Sequence, residues 1–160
     1  MNFLRGAIFF LTAMLIQWWW ATHFSLAGLA PQLLLILTVV VAARQGPVRA
    51  MCLGFGWGLF LDVLNPALFG ANALALTLAG YGTGALRRLV DVTGLAPQCV
   101  VVFGMTWAYF LALGMIGVVF AKYFVWVGWP AFLFDPFYNC LTAGVLFLFW
   151  TDRRVARRLL

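Results

Sequence analysis

Six apolar runs, broken mainly by arginine, glycine and proline, leave this chain few ways to fold. They read Phe3–Thr22, Leu29–Ala43, Val48–Leu64, Gly70–Leu86, Gln98–Ala121 and Pro136–Thr151. A bilayer-spanning helix needs roughly 20 apolar residues, with a range of about 17 to 25, so most of these runs have spanning length. Composition points the same way: of 160 residues, 66% are hydrophobic and 9% charged, with a mean hydropathy of +1.04. A soluble domain of this size could not hide so much apolar surface from water. The expected fold is an all-α integral membrane protein, a six-helix transmembrane bundle forming a single transmembrane domain over residues 1–160. The second run is short and contains Pro31, so it tilts, thins the bilayer or enters only partway.

The basic residues test the span count independently, because cytoplasmic loops collect Lys and Arg. With six spans and a cytoplasmic N-terminus, Arg5, Arg44, Arg49, Arg87, Arg88, Arg153, Arg154, Arg157 and Arg158 fall on the inner side, and only Lys122 falls outside. Dropping the short second span would spoil that division, so both termini are expected in the cytoplasm. The net charge of +6 follows from the same asymmetry and implies no nucleic-acid partner. The arginines serve as basic anchors, and those of the C-terminal tail can lie on anionic membrane lipid. The first run is long for a signal sequence, carries Trp18-Trp19-Trp20 and lacks a small-residue cleavage site, so it reads as a retained span. Its tryptophans mark the outer interface, with at least one ring facing protein. His23, the single histidine, reads as an interfacial residue rather than a proton relay.

One acid lies deep in an apolar run. Asp62 stands in Gly54–Arg88, flanked by the glycine sets Gly54/Gly56/Gly58 and Gly80/Gly82/Gly84. Carboxylates inside spans are costly and are functional-site candidates, while glycine stripes let helices approach closely. Thirteen residues of helix put Asp62 ~20 Å from Arg49, in the outer half of the membrane. Gly54, Gly58, Asp62 and Asn65 share one helical face, and Asn65-Pro66 ends the helix. Gly80 and Gly84 are the matching packing positions of the next span. Asn72 stands near the outer end of that span, where it could meet Asp62 and Asn65.

Asp135-Pro136 has two readings. One is an N-cap and first-turn proline opening the sixth span. The other places Asp135 in an outer polar cluster with Asp62, Asn65, Asn72 and Asn139. Such a cluster could bind a small ligand, receive a partner helix or satisfy itself. Gly80-Tyr81-Gly82-Thr83-Gly84 lacks the preceding strand and the spacing of a phosphate loop. Cys52, Cys99 and Cys140 have no metal-ligand spacing and read as packing residues. No catalytic set, metal site or cofactor site is expected.

The order of several segments resembles the rod shape-determining MreD family. These are Pro31-Gln32-Leu33-Leu34-Leu35-Ile36-Leu37, Arg44-Gln45-Gly46-Pro47, Gly54-Phe55-Gly56-Trp57-Gly58-Leu59-Phe60-Leu61-Asp62, Leu68-Phe69-Gly70 and Leu78-Ala79-Gly80-Tyr81-Gly82-Thr83-Gly84. Gln32 departs from that pattern, which has an acid after the proline. The resemblance implies a non-enzymatic scaffold of the bacterial inner membrane, in the cell-wall elongation machinery. It would bind MreC, work with MreB and the peptidoglycan synthases, and help maintain rod shape. It also implies a helix arrangement similar to the substrate-binding components of energy-coupling-factor vitamin transporters, with a cavity toward the outer side near Asp62. The alternative function is therefore a small-molecule binding component of such a transporter. Exposed small-residue faces also make a homo-oligomer an expectation.

Overall fold

The computed structural model describes residues 3–23, 32–65, 68–89 and 94–156, and within them all side chains except those at 3–5, 95 and 147–156. Among these residues there are six helices and no strand: α1 (Phe3–His23), α2 (Leu33–Gln45), α3 (Pro47–Leu64), α4 (Ala71–Leu86), α5 (Leu95–Ala121) and α6 (Trp129–Ala156). Pro47–Leu64 and Ala96–Ala121 are long and apolar enough to cross a membrane.

The short second run has a physical explanation. At 13 residues α2 is ~20 Å long, less than the ~30 Å of a hydrocarbon core. It contacts each of the other five helices, and its residues from Leu33 to Ala43 are buried with the exception of half-buried Leu37. A helix that is apolar all round is a buried one, and here protein covers α2. Pro31 lies outside the described residues.

Gly46-Pro47 turns α2 into α3. Gly46 takes φ +97°, which favours glycine, and Pro47 occupies the first turn of α3, where its missing N–H breaks no bond. α3 then runs antiparallel to α4 along the most extensive interface of the fold. Four glycines set its closeness. A Cβ on Gly58 would stand 2.3 Å from Ala73 Cα, and one on Gly54 would stand 2.8 Å from the Leu76 carbonyl oxygen. From the other side, a Cβ on Gly80 would lie 3.0 Å from the Ala50 carbonyl carbon, and one on Gly84 would lie 2.4 Å from Pro47 Cβ. Backbone touches backbone along this seam, the geometry small residues permit.

Trp57, fully buried on α3, ties α1 to the bundle. Its ring stacks on Phe10 with centroids 5.8 Å apart, and its Nε1–H donates to the Phe10 carbonyl at 3.3 Å. Of the three consecutive tryptophans on α1, Trp18 and Trp19 are exposed and Trp20 is half-buried; His23 pairs with its own helix through the Trp19 carbonyl.

The largest departure from the expected spans is at α6. It begins at Trp129, directly after Gly128 with φ +91°, so Asp135-Pro136 lies inside the helix and Asp135 is not its N-cap. A proline there removes the N–H that would pair with the Phe132 carbonyl. Trp107 of α5 replaces it, its Nε1–H donating to Phe132 O at 3.0 Å.

Candidate functional site

The seam between α3 and α4 delivers Asp62 to its partners. Gly54, Gly58 and Asp62 recur every four residues, so the face that accommodates α4 without side chains continues, one turn later, in a carboxylate. That carboxylate meets the first turn of α4. Oδ1 accepts the Asn72 backbone N–H at 3.0 Å and the Asn72 Nδ2–H at 2.9 Å, and Oδ2 accepts the Ala73 N–H at 3.1 Å. The residue at the N-cap position of α4 is Gly70, which has no side chain with which to cap. Asp62 therefore supplies the cap from the neighbouring helix. The first amides of a helix are unpaired and carry its positive end, so a fully buried carboxylate is held there by three donors and a favourable field. Charge-assisted bonds of this kind are the strong ones.

The network extends to α5. The Tyr109 hydroxyl donates to Asn72 Oδ1, so the order of donation is Tyr109 to Asn72 to Asp62. Both Asp62 oxygens are engaged, which leaves it poorly placed to act as a base or nucleophile. Tyr109→Phe is expected to lower stability by about 1 kcal/mol, measured as the unfolding midpoint in detergent, without altering helix content.

The five residues that one reading of the sequence gathers into a polar cluster, Asp62, Asn65, Asn72, Asp135 and Asn139, do not assemble as one. Asn65 is exposed at the end of α3, with its backbone N–H bonded to Leu61 O at 2.9 Å. It borders two clefts that Asn72 also lines but is not bonded to Asp62. Asn139 belongs to a second set: its Oδ1 accepts the Gln32 N–H at 2.8 Å, and its Nδ2–H donates to Thr106 Oγ1 at 3.1 Å. It tethers the start of α2 to α5 and α6, just as Asp62 tethers the start of α4. Asp135, one turn before Asn139, is buried at 5% exposure, and its Oδ1 has no partner among the described residues. The separation has a simple cause: α6 packs on α5 and reaches α2, whereas Asp62 faces α4.

Beside Asn72 lies a cavity of about 280 Å³. Polar side chains from five segments reach it: Gln17, Gln32, Asn65, Asn72 and Tyr109, between walls of leucine. Gln17, Gln32 and Tyr109 were not among the sequence candidates, although lone amides in apolar runs carry the same signal as Asp62. Tyr123 and Trp126 border a second cleft that Asn65 and Asn72 also line, and Trp18 lies next to Gln17 in α1. This end of the bundle is thus rich in the rings that favour a membrane interface.

The opposite end is basic. Arg44 ends α2, Arg49 begins α3, and Arg87 and Arg88 follow α4. Lys122 is at the aromatic end, adjoining Tyr123. The side chains of Arg153 and Arg154, and residues Arg157 and Arg158 altogether, lie outside the described residues. The described residues contain no group of three potential metal ligands.

The family model described as rod shape-determining protein MreD matches residues 1–151 of the chain. No curated protein and no solved structure matches it.

Proposed function

Because the chain belongs to the MreD family of rod shape-determining proteins, we propose that it works as a non-enzymatic inner-membrane scaffold of the cell-wall elongation complex. It binds MreC through its spans and acts alongside MreB and the peptidoglycan synthases in lateral wall growth. Both termini face the cytoplasm, with the Arg44, Arg49, Arg87 and Arg88 end inward and the Asp62 end outward. The observation that carries this reading beyond family membership is the use made of Asp62. A carboxylate that is fully engaged in capping a neighbouring helix serves shape, and the glycine seam around it fixes two helices rigidly for a partner to read. Affinity purification of the tagged chain from gently solubilised membranes is expected to recover MreC. Its absence, with the chain itself intact, would count against the scaffold.

One observation favours a second reading, a small-molecule binding component of an energy-coupling-factor type transporter. The cavity beside Asn72 joins convergent amides and a phenol to apolar walls, as ligand sites do. Mass spectrometry of small molecules in the same purified sample separates the two, since a bound vitamin at stoichiometric level would support the transporter component.

A further inference from the structure

Three helix ends meet at the basic pole. Pro47 packs where Gly84 has no side chain, which draws the end of α4 onto the α2–α3 turn. The Arg87 guanidinium consequently lies over that turn, its Nη1 coming 3.7 Å from the place a Cβ on Gly46 would take. Arg49 leans back toward the same turn, its Nη1–H donating to Gln45 Oε1 at 3.4 Å. Arg49, Arg87 and Arg88 are exposed, and no carboxylate among the described residues pairs with them. The guanidinium groups of Arg49 and Arg87 beside one turn, paired with no carboxylate among the described residues, repel one another and focus a positive field on the space between them. The first amides of α3 add to that field, because Gly46 offers them no side-chain cap. Apolar side chains stand directly beside the charge: Val48 is 71% exposed and Leu89 83%.

We propose that this pole binds one anionic phospholipid, its phosphate held by Arg49, Arg87 and Arg88 and its acyl chains lying along Val48 and Leu89. Arginine suits the role because its planar fork makes paired bonds to phosphate oxygens. A free phosphate ion offers the same head chemistry, but it leaves the exposed apolar flank without a partner. The proposal concerns a discrete site formed by three helices, distinct from the general attraction of a basic tail to a membrane.

Native mass spectrometry of the full chain in neutral detergent tests this. The probes are dioleoyl phosphatidylglycerol, dioleoyl phosphatidylcholine and inorganic phosphate. Phosphatidylglycerol is expected to be retained in preference to phosphatidylcholine. Arg87→Gln with Arg88→Gln should weaken its retention roughly 30-fold, and Arg49→Gln alone about 5-fold, taking each charge at its usual worth beside an anionic lipid. Arg49→Gln lies in an exposed first turn and keeps the test valid if the double variant folds poorly. Arg153→Gln with Arg154→Gln should leave retention unchanged. Equal retention by wild type and both pole variants would overturn the site, as would an equal loss in the tail variant. Displacement of the lipid by an equal concentration of inorganic phosphate would overturn its assignment as a lipid site.

Discussion

Gly58→Ala is expected to destabilise the bundle by about 3 kcal/mol, the upper part of the range for overpacked cores. The new methyl group would meet the backbone of α4, at 2.3 Å from Ala73 Cα and 2.4 Å from Ala73 N, and a backbone cannot step aside as a flexible side chain can. α3 and α4 would have to part, and the first turn of α4 would move off Asp62. Gly104→Ala is the matched control. A Cβ there meets nothing within 4 Å, so the same change on α5 should be neutral or stabilise by about 0.5–1 kcal/mol through the better helix propensity of alanine. Thermal unfolding of the two variants in one detergent reads the difference. Equal midpoints would show that the seam is looser than these distances.

Asp62→Ala has a comparable effect by a different route. It leaves the part-buried Asn72 backbone and side-chain amides and the buried Ala73 amide without their acceptor. Unsatisfied buried donors cost about 1–3 kcal/mol each, so a loss of about 3 kcal/mol or more is expected. Asp62→Asn should fall between wild type and alanine. Residue identity alone suggests that an amide would serve as well, since it too forms hydrogen bonds. The geometry refines this. Both carboxylate oxygens accept, so an amide turned either way presents its NH₂ to a donor and keeps at most part of the set. Unfolding midpoints in the order wild type, Asn, Ala would bear this out, whereas an alanine variant as stable as wild type would remove Asp62 from the account of the fold.

The parts of this arrangement that follow helical period were legible in the sequence. Gly54, Gly58 and Asp62 share a face because four residues nearly complete a turn, and Gly46-Pro47 punctuates two helices by rules that act within a few residues. Asn72 was within reach because a short turn returns α4 beside the end of α3. What the sequence did not disclose depends on which helices become neighbours. Asn139 has the same chemistry as Asn72, but it is carried by α6 to the start of α2, so the two amides serve different helix ends. Asp135-Pro136 is locally a good helix start. It is overridden because Gly128 opens α6 earlier and the Trp107 indole takes the carbonyl that the proline frees. Tyr109 gave no local sign of its role, which comes from α5 passing beside Asn72.

Cell shape is the decisive readout for the proposal that this chain sustains rods as a scaffold whose buried acid holds the fold and performs no chemistry. The measurement is the length-to-width ratio of cells depleted of the protein and re-expressing wild type or Asp62→Asn at matched levels of folded protein in the membrane. Rounding on depletion, with rods restored by both proteins, is the predicted result. Cells that stay rod-shaped without the protein, or that stay round with fully folded Asp62→Asn, would contradict it.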